Sequence, residues 1–365
     1  MHSDLAVTTP QLFSQDMTPD MKHTKIYIQA AEQISIQQPL SEQWMADPVF
    51  HEEPLVHAVN PVFRDYIPAN EARRMGNIMK RALVTSLKVL NETGIKQPDA
   101  VMSGTSIGSL DYTERFLDSI IENGEETLSP TYFMQSTHNT VGSTIGIYTK
   151  THGYNTTYSH GGLSFDLAVQ DAWMQMELGR ICTALVGGHD EMTEAYFSIL
   201  QKTGYVGQEG MVPCGEVAMS MLLNTNPNID VLCELAGISI CYHPSMDGLK
   251  NRTGKMLQQA GMTMEDVSAI MTGVNGNIIN DEHYHDAIRA LFPDKPLLHY
   301  KHLFGENYTV SALGIYAAAQ CLKRGTVPSF VYDTSSPRLC DSLDSILLIN
   351  LANHDEYSLI LLKKK

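Results

Sequence analysis

The chain has 365 residues, 43% of them hydrophobic and 18% charged, with a formal net charge of −16. This length and composition describe a folded chain with a sizeable core, one large domain or two ordinary ones, and exclude a disordered chain. The acidity excludes a nucleic-acid partner, because phosphate contacts need clustered Lys and Arg; solubility alone is enough to account for it.

The six cysteines (Cys182, Cys214, Cys233, Cys241, Cys321 and Cys340) form no Cys-x-x-Cys pair, and most lie in apolar runs. They read as reduced core residues of a cytoplasmic protein and not as a disulfide frame. No apolar run approaches the ~20 residues of a membrane helix. The first residues lack the basic and apolar regions of a signal peptide. Residues 1–22 are polar, contain prolines and show little period, so they read as a flexible extension.

Residues 25–36 form an apolar run of strand type. Residues 70–90 have a helical period that puts Met75, Ile78, Met79, Ala82, Leu83 and Leu87 on one face. Residues 99–110 are a strand running into a Gly/Ser turn, and 111–121 a helix. Residues 129–153 are a loop turning into a helix that ends at Gly153. A short β-branched strand then meets Gly161 and Gly162, followed by a long helix over 163–178. Strands over 181–192 and 215–224 close the first half. The second half repeats the alternation: strand 229–243, helix 247–260, strand 267–276, helix 281–291, strand and loop 296–306, helix 309–322, and strands 345–352 and 356–363. Such alternation implies mostly parallel sheets covered by helices, and the element order implies two duplicated halves, 23–225 and 226–365.

Five segments, in order, resemble the β-ketoacyl synthases: SGTSIGS (103–109), SPTYFMQSTHNTVGSTIG (129–146), ALVGGHDEM (184–192), PCGEVAMSMLLN (213–224) and HYKHLFGENYTVSALGIYAAAQCLKRGTVP (299–328). The resemblance spans about Lys25 to Leu362. It implies a thiolase-like α/β fold of five layers, αβαβα. It also implies a substrate channel or interface at Thr105, Phe133, His138, Asn139 and Phe165, and pairing of subunits through the strand around 155–159.

The family's chemistry needs a thiolate at a strand–helix junction, because a thiolate is a strong nucleophile that a helix N-terminus can activate. Here the junction reads Ser159-His160-Gly161-Gly162-Leu163-Ser164-Phe165, so His160, or at one residue's slip Ser159, stands in the place of the cysteine. Asn275 replaces the first catalytic histidine. Lys301 and Gly305 keep the second motif, but Glu306 replaces its histidine. An amide can still donate to an oxyanion, whereas a carboxylate opposes one. Similar Ser-His-x-Gly-x-Ser-Phe runs occur in ketosynthase-like proteins of aryl polyene and flexirubin-type pathways. The resemblance therefore implies a chain-length-factor-like subunit that does not condense alone. Its expected partners are a catalytic ketosynthase or a second copy, and an acyl carrier protein, with no membrane and no cofactor. The alternative is an acyltransferase or thioesterase with Ser159 as nucleophile.

Three bland readings stand beside these. His160 reads as a polar plug in a vestigial acyl site. Asp281, Glu282, His283, His285 and Asp286 read as a helix start and not as a metal site. Tyr148, Met174 and Met176 read as core, or as the wall of an acyl tunnel.

Overall fold

The apolar runs become strands and the 3.6-period segments become helices in a computed structural model that describes residues 24–124, 128–227, 230–336, 338–353 and 355–365. The extension expected over 1–22 lies outside the described residues. The first half runs β1 (Ile26–Ile34), α1 (Ala69–Ala72), α2 (Asn77–Thr93), β2 (Ala100–Gly104), α3 (Leu110–Asn123), α4 (Pro130–Ser136), α5 (Thr140–Thr149), β3 (Tyr154–Tyr158), α6 (Ser164–Glu177), β4 (Thr183–Asp190), α7 (Glu194–Lys202) and β5 (Val217–Asn224). The second runs β6 (Cys233–Tyr242), α8 (Met246–Gln259), β7 (Ala269–Thr272), α9 (Ile278–Leu291), β8 (Leu297–His299), α10 (Lys301–Phe304), α11 (Ser311–Arg324), β9 (Ser345–Ala352) and β10 (Glu356–Lys363).

The strand order is β3-β2-β4-β5-β1-β6-β10-β9-β7-β8. Numbering the second half's strands from one turns its order, read from the far edge, into the same 3-2-4-5-1 as the first. The pairing agrees: β2 is parallel to β3 and β4, as β7 is to β8 and β9, while β5 and β10 are antiparallel to both of their neighbours. The expectation of mostly parallel sheets is thus corrected, since parallel and antiparallel pairs are equal in each half. The antiparallel pairs lie toward the middle, where β1 meets β6 over Ile26–Leu235, Tyr27–Glu234 and Ile28–Cys233 and joins the two half-sheets.

Helices complete the five layers. Helices α2 and α5 cover the outside of the first half-sheet, and α8 and α9 the outside of the second; α6 and α11 pack together between them. Residues 311–322 of α11 are all buried, as a helix enclosed by two sheets requires. The largest apolar cluster surrounds this central layer and draws on both halves, whereas the outer layers have clusters of their own.

Local chemistry explains where elements differ from expectation. The helix expected over 70–90 divides into α1 and α2 at Gly76, where a Cβ would lie 2.9 Å from the Tyr112 ring. Helix α5 ends earlier than Gly153, at Lys150 in the left-handed conformation (φ 53°). Helix α9 begins at Ile278, capped by the Asn277 side chain, and not at Asp281. Helix α7, absent from the sequence reading, is capped by Thr193. No helix among the described residues is long and apolar enough to cross a membrane.

Candidate functional site

Strand β3 and helix α6 are joined by the turn that carries Ser159 and His160. Gly161 takes φ +50°, which favours glycine. Ser164 Oγ donates to the Gly161 carbonyl at 2.7 Å and accepts from the His160 amide at 2.8 Å. The two side chains of interest part company here. Ser159 Oγ donates to the Ser106 carbonyl at 3.2 Å. The His160 ring lies 3.7 Å from Glu356 Oε2 and edge-on to Tyr242, and the side chain is 46% exposed. The plug reading of His160 is therefore corrected: the imidazole lies beside the carboxylate at the start of β10 and is not enclosed.

A second group assembles from the ends of β7 and β8. Asn275, Lys301 and Glu306 are all buried. Asn275 Nδ2 donates to Glu306 Oε2 at 2.5 Å, and Lys301 Nζ to the same oxygen at 2.8 Å. The amide of Asn307 donates to Glu306 Oε1 at 3.0 Å. The backbone of Glu306 is also clamped: its amide donates to the Pro213 carbonyl, and its carbonyl accepts from the Gly215 amide and the Cys214 thiol. Asp281 holds the Asn275 loop by accepting from the amides of Asn275 and Gly276 at 3.0 and 2.8 Å. Its carboxylate thus serves the fold, and the described residues contain no group suited to a metal.

Lys301, Glu306 and Asn307 border a cavity of about 300 Å³, lined also by Gly162, Tyr205, Tyr308 and Asn350. Gly162 from the β3–α6 turn thus meets the Glu306 group across the cavity, while His160 and Ser159 stay outside it. The nearest thiol offers no substitute nucleophile. Cys214 is buried, and burial, reinforced by Glu306 and Glu216, pushes its thiol well above the ordinary range. Four cysteines are core residues as expected, but Cys182 is exposed and Cys340 partly so.

Two of the residues expected at a channel or interface are fully buried. Thr105 is fully buried and donates to Asp190 Oδ1 at 2.7 Å, while its Oγ1 accepts from the Gly108 amide. Phe165 is fully buried; a Cβ on Gly104 would come within 2.4 Å of its backbone, so a glycine there admits the start of α6 against β2. Phe133, His138 and Asn139 are exposed, with Phe133 tilted against Phe116. Tyr148 and Met176 face the core, and Met174 is exposed.

Sequence reasoning missed Asp166. It is fully buried in the first turn of α6, accepts from Ser311 Oγ at 2.7 Å and Asn350 Nδ2 at 3.1 Å, and burial raises its pKa. It ties α6, α11 and β9 together beside the cavity. A lone carboxylate in the run SFDLAV was the available signal.

A model of the β-ketoacyl synthase N-terminal domain matches residues 42–270, well over half of the chain. Among solved structures, the ishigamide ketosynthase/chain length factor aligns with TM-score 0.78 at 16% identity, covering 94% of this chain and 100% of that one. A ketosynthase in complex with its chain length factor from Xenorhabdus doucetiae aligns with TM-score 0.74 at 15% identity, covering 94% of this chain and 98% of that one. A β-ketoacyl synthase from Burkholderia phymatum STM815 aligns with TM-score 0.72 at 13% identity, covering 94% and 100%. At these identities the likeness establishes the fold. No curated protein matches in sequence.

Proposed function

The chain belongs to the β-ketoacyl synthase family, and from that premise we propose that it is a non-condensing, chain-length-factor-like subunit of polyketide biosynthesis of the aryl polyene type. The observation that carries this reading is Glu306. Condensation passes through an enolate, and on this reading the Glu306 carboxylate occupies the Lys301 and Asn275 donors that would otherwise meet that charge. No thiol stands at the β3–α6 turn to carry the acyl group.

Such a subunit acts through a partner, and the sheet edges favour one side for it. The outer edge of β8 is already covered: Leu298 bridges to Tyr332, and the Asp333 amide donates to the Leu297 carbonyl. Strand β3 pairs only with β2 among the described strands. Its free edge is of the kind that pairs with another chain. A catalytic ketosynthase paired on β3 would supply the cysteine and both histidines. An acyl carrier protein would bring the chain being extended. The complexes of ketosynthase with chain length factor named above support this arrangement.

The test is co-expression with an intact Cys-His-His ketosynthase from the same organism. Joint purification, with ketoacyl product formed by the pair and not by this chain alone, is the expected result. A ketosynthase that neither binds this chain nor changes its products in its presence would reject the proposal.

A further inference from the structure

The Glu306 carboxylate is held as a bound anion would be. Three donors from separate places converge on it: the Lys301 ammonium at 2.8 Å, the Asn275 amide at 2.5 Å, and the Asn307 backbone amide at 3.0 Å. All four residues are buried. Lys301 is fixed by α10, Asn275 by the Asp281 anchor, and Asn307 by its own side chain, which donates to the Gly215 carbonyl at 2.9 Å. The fold thus sets the backbone positions from which the three donors reach the carboxylate. A buried ammonium without an anion is costly, so the seat needs an occupant. Lys301 and Glu306 both border the 300 Å³ cavity, which gives a small solute access to the seat.

We infer that Glu306 is an intramolecular ligand, filling a preformed carboxylate seat that would take a small free carboxylate from the cavity if Glu306 were removed. This rests on local geometry alone and does not depend on the role proposed above. The chain thus satisfies its own anion site permanently, and an exogenous carboxylate cannot compete at that seat.

The test is chemical rescue. The probes are acetate and formate, with chloride and neutral acetamide as controls, and the readout is melting temperature. The wild-type chain should respond to acetate no more than to chloride. Glu306→Ala should melt lower and regain several degrees with acetate or formate, saturably, but not with acetamide. Lys301→Met/Glu306→Ala removes the cation as well; it should melt above Glu306→Ala and ignore acetate. Should Glu306→Ala be too unstable to melt cooperatively, its refolding yield from denaturant is compared in acetate and in acetamide, and a gain specific to acetate is expected. Equal effects of acetate and acetamide, or a carboxylate response that survives in the double variant, would overturn the inference.

Discussion

At the scale of single residues, the chain stores charge in its interior and does so unevenly. Burial pushes Glu191 up to about 7 and Asp190 up to about 6. Both carboxylates anchor the loop before α3: Asp190 accepts from Thr105, Ser106 and Ile107, and Glu191 from the Asp111 amide. A carboxyl whose folded pKa is raised contributes stability that is complete below its unfolded value and is lost as pH rises through the folded one. For Glu191 the window runs from its ordinary 4.5 up to about 7. Glu191→Gln keeps the acceptor but cannot ionise, so it should be more stable than wild type at pH 8 by about 3 kcal/mol and lose most of that advantage by pH 5; urea titrations at the two pH values check this. Glu216 has the opposite sign. Burial opposes its ionisation, but the His57 hydrogen bond and the Arg81 charge at 2.9 Å hold it down at about 2. Its contribution is present above the ordinary carboxylate range and is lost only as pH falls through about 2. On the function proposed above, His160→Cys places a thiol on the β3–α6 turn, outside the cavity, and keeps the Glu306 carboxylate. It should not restore condensation, and ketoacyl product from that variant would refute the part assigned to Glu306. The candidate positions Asn275, Lys301 and Glu306 were legible in the sequence through the motifs that flank them. The engagement of Glu306 by Lys301 and Asn275 was not, because residues 275 and 301 meet only through the sheet.

At the scale of elements, the turns explain most differences from expectation. Hydrophobic period located α6, α8 and α11 to within about two residues, since these helices bury continuous faces. It failed at α7, whose nine residues bury only Phe197 and Leu200, and at Gly76, whose extended backbone caps α2 and interrupts the helical pattern. Strand β3 carries the largest consequence for association. Tyr154 is 42% exposed at the head of the strand, with Phe133 and Ile147 exposed on α4 and α5 nearby in sequence. Tyr154→Lys/Thr156→Lys places two charges on the free edge, a device that blocks strand pairing. The variant should sediment as a monomer with little change in melting temperature, whereas wild type, alone or with its ketosynthase, should sediment as a dimer. A dimer that survives both substitutions would move the interface away from β3.

At the scale of the whole molecule, the duplication is plainer in topology than in sequence. The halves share a strand order and a pattern of parallel and antiparallel pairs, yet the alternation of strand and helix was all that the sequence displayed of it. The seam between β1 and β6 was illegible because only three residue pairs make it, and short pairings leave no periodic trace. The central layer follows from the duplication: α6 and α11 hold equivalent places in the two halves and meet between the sheets. The cavity lies where the β3–α6 turn of one half faces the first turn of α9 and the residues that follow β8 of the other. Its lining carries no cysteine and no histidine, and on the function proposed above the chain condenses nothing by itself. The most direct test of that account incubates the purified chain with labelled acyl- and malonyl-acyl carrier protein, then looks for a covalent acyl-protein and for ketoacyl product. The account predicts neither. An acyl ester on Ser159, abolished by Ser159→Ala and retained in His160→Ala, would contradict it and make the chain a serine acyltransferase.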